Sequence, residues 1–295
     1  MSSPPRSAST MSDLRIATRA SDLAMAQARS VAEGLARAHP GLGATLVEVS
    51  TTGDRDGATP VTTLTEVGAF VRAVQLAVLE GEADIAVHSC KDLPVEGPEE
   101  LVAFYPVREA PWDVLCGHDL TSLPARARVG TGSPRRAAQM RALRPDVEVA
   151  DIRGNVGTRL DKMHSGLYDA VVLAEAGLLR LGLEDEIGHR FDIGQMVPAP
   201  AQAALAVEVR RDDPRLHLYE AIDDPDTRAA VETERALLGI TRAGCRSALG
   251  ALARPNGTTI HVAGFVEDEA GFRFGRAEGE SPATAARSLQ RSLGL

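Results

Sequence analysis

Short apolar runs alternate along this chain with longer amphipathic stretches, and that alternation predicts an α/β protein. Residues 14–18 (LRIAT) read as a strand, after which Ser21 and Asp22 can cap the helix LAMAQARSVAEGLARA. Residues 44–49 form a second strand that empties into TTGDRDGA (51–58), a polar, glycine-containing stretch expected to be a mobile loop acting as a lid. An amphipathic helix ending near Glu80 follows. Residues 83–87 (ADIAV) then read as a buried strand delivering HSCKDLP at its carboxyl end, where open α/β sheets bind their ligands.

The alternation restarts after the Pro/Glu-rich segment 94–100, so 101–107 is expected to open a new unit, with 127–130, 147–152 and 170–173 as parallel strands of a doubly wound sheet. PAPAQA (198–203) punctuates the chain before a strand at 204–209. A lone strand after a complete unit implies that the chain crosses back to the first one. From Asp223 the character changes to a helix at 227–239, a glycine-flanked loop around Cys245, a hairpin of 258–266 with 272–278, and a closing helix at 282–292. The expected organisation is a disordered tail (1–12), a discontinuous α/β domain (13–103 and 203–221), a second α/β domain (104–202) and a smaller α+β domain (222–295).

Charge sharpens this picture. Ser133 can cap a helix with Pro134 at its first position, which puts Arg135 and Arg136 in the opening turn. After the strand ending at Ile152, Arg153 lies in a glycine turn, and Thr158 with Asp161 approximates a capping box for a helix carrying Arg159. Arg19 repeats the arrangement at the end of the first strand, and Arg180 sits on the helix after the strand 170–173. Guanidinium forks and helix N-termini both favour carboxylates and phosphates, so the expected ligand is small and polyanionic. The alternative is that these arginines merely flank solvated helices. Within HSCKDLP, Asp92 is a candidate acid/base and Lys91 a candidate anion contact, the alternative being a turn aspartate before Pro94. His88 reads as a packed support.

Composition narrows the classes. A net charge of -9 over 295 residues argues against general nucleic-acid binding, which needs a broad basic face. Cys90, Cys116 and Cys245 are an odd number at wide spacing, fitting neither a disulfide framework nor a zinc site, and no metal site is expected. No apolar run is long enough for a membrane span and the N-terminus lacks a secretory core, so a reducing cytoplasm is the expected home. The loop around Cys245 lets its thiol approach a ligand, although a lone cysteine is usually a small buried hydrophobe.

Taken in order, RIATRASDLA (15–24), ADIAVHSCKDLPV (83–95), VGTGSPRRAAQ (129–139), DIRGNVGTRLDKM (151–163), YDAVVLAEAGLLRLG (168–182), PAPAQAALAVE (198–208) and AGCRSALGA (243–251) resemble the hydroxymethylbilane synthase, or porphobilinogen deaminase, family. The resemblance covers essentially everything from residue 13 onward. It implies two periplasmic-binding-protein-like domains plus the α+β domain, and a dipyrromethane cofactor held by a thioether to Cys245. The implied reaction joins four porphobilinogen molecules head to tail with loss of ammonia, giving hydroxymethylbilane for porphyrin and haem biosynthesis, in a monomer. By matching positions Asp92 would be the catalytic carboxylate. Arg135, Arg136, Arg159, Lys91 and Ser133 would hold the cofactor, and Arg19, Ser21, Gln27, Arg153, Arg180 and Gln202 the substrate. Family members have glycine where Ala201 and Ala203 flank Gln202; if those positions keep positive φ, each alanine costs about 1 kcal/mol or more. The alternative function is a non-catalytic or weakly active paralogue acting as a two-domain clamp for a small polycarboxylate. A redox-active thiol protein is disfavoured, since no second cysteine lies near Cys245 in sequence.

Overall fold

The computed structural model describes residues 13–49, 64–241 and 248–295. The tail 1–12, the stretch 51–58 expected to act as a lid, and Cys245 lie outside the described residues.

The first sheet contains β1 (Leu14–Arg19), β2 (Ala44–Val49), β3 (Ile85–Ser89), β4 (Leu101–Phe104) and β10 (Leu205–Arg210), in the order β2-β1-β3-β10-β4. Its parallel strands are joined by α1 (Asp22–Ala38) and α2 (Leu64–Leu79). Ser21 caps α1, its Oγ accepting from Ala24 N–H, and Gln27, Ala28, Val31 and Leu35, spaced three or four apart, turn one stripe of the helix inward. The second sheet contains β5 (Asp113–Cys116), β6 (Arg128–Gly130), β7 (Glu148–Ala150), β8 (Ala170–Ala174) and β9 (Ile187–Arg190), in the order β7-β6-β8-β5-β9. It carries α3 (Pro134–Leu143), α4 (Val156–His164) and α5 (Glu175–Arg180).

The two sheets have one topology. Each has three parallel strands in the order second, first, third, followed by an antiparallel strand that the chain lays down as it crosses between the units, β5 outbound and β10 on its return. This is the doubly wound, periplasmic-binding-protein-like arrangement expected, with one correction. Residues 101–104 close the first sheet instead of opening the second, because β10 needs a partner on its far side and Leu101 and Phe104 are buried there. The strands β5 and β9, and a later one at Ala248–Asn256, were not marked by the apolar pattern, each being short or interrupted by polar residues and glycine.

The third unit packs α7 (Pro225–Thr241) and α8 (Pro282–Ser292) on an antiparallel sheet of β11 (Ala248–Asn256), β12 (Thr259–Asp268) and β13 (Gly271–Gly279) around Leu237, Val262 and Leu289; α6 (Leu216–Glu220) precedes it. It docks on the second unit where Ala251 N–H donates to Pro198 O at 3.0 Å. A Cβ at Gly250 would meet Val197 O at 2.7 Å, so that approach needs glycine.

Residues 201–203, on the return crossing, form the most constrained turn. Ala201 and Ala203 have φ of 60° and 69°, the left-handed region that favours glycine. Every peptide of the turn is gripped. Ala201 N–H donates to Glu234 Oε2 (2.5 Å), Gln202 O accepts from Arg108 Nε (2.8 Å), and Ala203 O accepts from Arg180 Nη2 (2.8 Å). Glu234, fully buried on α7, also holds Arg108 at 2.7 and 3.1 Å and accepts from Ala253 N–H. A single carboxylate thus ties the turn, the outbound crossing and the third unit together.

Replacing Ala203 by glycine removes a buried methyl and adds unfolded-state freedom, but relieves about 1–2 kcal/mol of left-handed strain. Ala203→Gly is therefore expected to unfold in urea within about 1 kcal/mol of the unmodified chain, whereas Ala206→Gly on β10 loses about 1.5–2 kcal/mol.

Candidate functional site

The carboxyl ends of β1, β3 and β8 point into one cleft between the two five-stranded sheets, of about 190 Å³. From the first unit come Arg19 at the end of β1, Ser21 at the cap of α1 and Gln27 on that helix, with His88 on β3 and Lys91 and Asp92 after it. From the second come Arg136, Arg159 and Arg180, with Ala203 of the return crossing. Lys91 and Asp92 lie in the short 3₁₀ turn Cys90–Asp92 that ends β3, which leaves Asp92 exposed and Lys91 half-buried. The lining therefore carries five cationic side chains, Arg19, Lys91, Arg136, Arg159 and Arg180, against the single carboxylate of Asp92.

These cations have few partners inside the cleft. Arg19 stacks on the Phe70 ring at 4.1 Å, and its Nε is buried without an acceptor. Arg159 donates from Nε to Gly154 O (2.8 Å). Burial pushes the Lys91 ammonium down to about 8, and the Arg136 charge pushes the same way; burial and Arg136 likewise lower Arg159. The site is thus charged at neutral pH and held against its own repulsion.

The restraint comes from outside the cleft. Asp113, fully buried at the start of β5, accepts from Arg135 Nη1 (2.6 Å) and Nη2 (3.2 Å), Arg136 Nε (2.8 Å) and Gln202 Nε2 (3.0 Å). Burial alone would raise its carboxyl, but the two guanidiniums and these hydrogen bonds outweigh it and hold Asp113 well below the usual carboxylate range. Arg136 also donates to Val172 O (3.0 Å), so its guanidinium is aimed before any ligand arrives.

Several expected site residues are placed elsewhere. Arg135 does not line the cleft; Asp113 and Val197 O (2.6 Å) take its Nη groups, because a buried carboxylate beside two arginines binds both. Gln202 is turned away to Asp113 and to Pro111 O (2.8 Å). Ser133 caps α3, accepting from Arg136 N–H, and lines a different cavity of about 670 Å³ that also borders Thr241 and Ala248, the residues flanking the undescribed Cys245 segment. That larger cavity offers Arg141 against Asp151, Glu267 and Asp268, a balance that does not favour anions. Arg153 is exposed on Asp151 (3.2 Å), outside the cleft lining. The cap of α4 is Asn155, not Thr158: its Oδ1 accepts from Thr158 N–H and Oγ at 2.9 Å each, so the helix starts at Val156. His88 is buried 3.1 Å from Glu208 Oε2, a packed position.

Asp113, Arg108, Glu109 and Glu234 were missed by sequence reasoning. The signal for Glu234 was available, as it stands on the apolar stripe of α7 with Ala230, Val231 and Leu237. Cys90 and Cys116 are free thiols, both pushed up to about 12 by burial and hence unreactive. Among the described residues no cluster suits a metal ion and no helix is long and apolar enough to cross a membrane.

The family model described as porphobilinogen deaminase, dipyromethane cofactor binding domain, matches residues 14–218. The chain is 45% identical to a porphobilinogen deaminase of Xanthomonas oryzae pv. oryzae over 96% of its length and 95% of that protein's. It is 46% identical to one of Xanthomonas campestris pv. campestris, with the same coverage, and 45% identical to one of Stenotrophomonas maltophilia over 95% and 94% of the two chains.

Two measurements check the electrostatics. Lys91 and Lys162 are the only lysines in the sequence, so after reductive ¹³C-methylation the NMR resonance that disappears in Lys91→Arg should titrate in the unmodified chain with a midpoint near 8. Asp113→Asn leaves two buried guanidiniums without their counter-charge and should destabilise the chain in urea by about 3–5 kcal/mol. The Asp113 contribution is complete above the unfolded carboxyl value of about 4, because the folded value is depressed, and is lost as pH falls below it.

Proposed function

The chain belongs to the porphobilinogen deaminase family, transferases of tetrapyrrole biosynthesis that join four porphobilinogen molecules with loss of ammonia to give hydroxymethylbilane, and we propose that it does so in the cleft between the two sheets. The observation that carries this assignment is five cations facing Asp92, with the Arg19 Nε buried and lacking an acceptor. Such an excess of donors fits both the family's dipyrromethane cofactor and the substrate, whose pyrrole rings bear acetate and propionate groups. Cys245 is the proposed point of thioether attachment.

When bound, the dipyrromethane supplies the nucleophilic pyrrole carbon to which substrate units are joined. Arg19, Lys91, Arg136, Arg159 and Arg180 grip the ring carboxylates, with Ser21 and Gln27 beside them, and so fix the reacting carbons relative to one another. Arg135, Gln202 and Ser133 serve the same site indirectly, the first two through Asp113 and Ser133 by capping α3. Loss of ammonia from porphobilinogen leaves an electron-poor methylene carbon and a positively charged pyrrole. The Asp92 carboxylate accepts from the pyrrole N–H, stabilises that charge, and takes up the proton released at the ring carbon as the new bond forms. Its exposure to the cleft suits a group that must serve successive rings.

The working units are 13–103 with 203–221, 104–202, and 222–295. On this reading the protein works in the cytoplasm as a monomer without membrane partners, and its net charge of -9 speaks against a nucleic-acid partner.

Intact-protein mass should show a dipyrrole adduct that disappears in Cys245→Ser. Asp92→Asn should retain that adduct and lose about 10²–10⁴-fold in turnover of porphobilinogen. Native mass in the unmodified chain, or substantial turnover in Asp92→Asn, would remove the corresponding role.

A further inference from the structure

Arg180 differs from the other cleft cations in how it is held. It closes α5, yet its side chain, only 8% exposed, reaches both segments that cross between the sheets. Nε donates to Glu109 Oε1 at 3.0 Å, on the outbound crossing, and Nη2 donates to Ala203 O at 2.8 Å, on the strained return turn. No described residue accepts from Nη1, while the guanidinium as a whole lines the cleft. Glu109 is an unusual partner. Its Oε2 is buried without a donor, so that oxygen bears a desolvation cost, while Oε1 meets Arg180 on a side chain that is 35% exposed. At that exposure its pairing with Arg180 contributes little to stability, and packing alone does not call for a carboxylate here. Its full negative charge is needed only if the guanidinium must be pinned by one edge and left open at the other.

We propose that Glu109 is a positioning residue for the known reaction: it holds Arg180 across the two crossing segments so that the free edge of the guanidinium meets a substrate carboxylate. This rests on the proposal that Arg180 binds such a carboxylate. Ala203 O is the second fixed point, and its left-handed turn is what aims that carbonyl at Nη2. These two points, with the covalent attachment at Cδ, define the plane of the fork, and an arginine with a fixed plane selects a planar carboxylate in one orientation. Loss of the Glu109 charge weakens one of the two tethers and frees the guanidinium to swing toward the groove behind the crossing, which Arg180 also lines together with Ser30 and Glu109. The consequence falls on substrate binding and not on the chemical step, since Glu109 does not line the cleft.

The test is a double-mutant cycle on the cofactor-loaded enzyme with porphobilinogen as substrate, following KM, kcat, adduct mass and Tm. Glu109→Gln should raise KM by about tenfold with kcat changed less than about twofold, the adduct retained and Tm near that of the unmodified chain. Glu109→Asp, which keeps the charge but shortens the reach, should recover part of the loss. Arg180→Gln should raise KM at least as much, and adding Glu109→Gln to it should change nothing further, because one residue acts through the other. If Arg180→Gln raises KM but Glu109→Gln leaves it unchanged, or if the two effects multiply, the positioning role is overturned while the cleft assignment stands. If Arg180→Gln leaves KM unchanged, the assignment of Arg180 falls and the role of Glu109 with it. Should Glu109→Gln lower Tm substantially and raise KM and kcat defects together, with Glu109→Asp no better, Glu109 is structural and the inference fails.

Discussion

Like charges crowded into one cleft repel one another, and that repulsion is the constraint the rest of the structure answers. A site for ligands bearing many carboxylates needs cations that lack counter-ions where the ligand sits, so their restraint has to come from behind. Asp113 does this for Arg136, together with Arg135 and Gln202. Phe70 does it for Arg19 with a ring face, which attracts a guanidinium without occupying its hydrogen-bond edge. The depressed Lys91 ammonium records the residual cost.

Buried acids therefore sit at the junctions between units. Glu234 holds Arg108, the peptide of Ala201 and the strand β11 at once, while Asp113 joins the second sheet to the side chain of Gln202. Between them, two alanines occupy backbone conformations that glycine adopts without strain. The turn persists because Glu234, Arg108 and Arg180 each hold one of its peptides, the usual circumstance in which strain of about 1–3 kcal/mol survives in a folded chain. The same turn borders the cleft through Ala203, so the geometry between the sheets and the geometry of the site are set by one short segment.

Much of this was legible in the sequence. The β1–α1 and β6–α3 junctions carry strong local signals, an apolar run followed by Ser21, or by Ser133 and Pro134, and both form as expected. The return of the chain to the first sheet followed from a lone strand after PAPAQA, and the resemblance raised positive φ at Ala201 and Ala203 as a condition that the turn meets. What was not legible depended on contacts distant in sequence. Whether Arg135 faces a ligand or a buried aspartate is decided by Asp113, 22 residues away, and nothing in SPRR distinguishes the two outcomes. Residues 101–104 look like the start of a unit until β10, about a hundred residues later, arrives to pair with them. Asn155 outcompeted Thr158 as a cap because it lies one turn earlier and also binds the threonine hydroxyl.

The most direct test of the central claim is a crystal structure of the protein purified with its cofactor. The ring carboxylates should lie within hydrogen-bond distance of Arg19, Arg136, Arg159 and Arg180, with Asp92 facing the pyrrole nitrogens. Rings seated instead in the larger cavity beside Arg141 and Asp268, with the cleft guanidiniums turned onto acids of the chain, would contradict it.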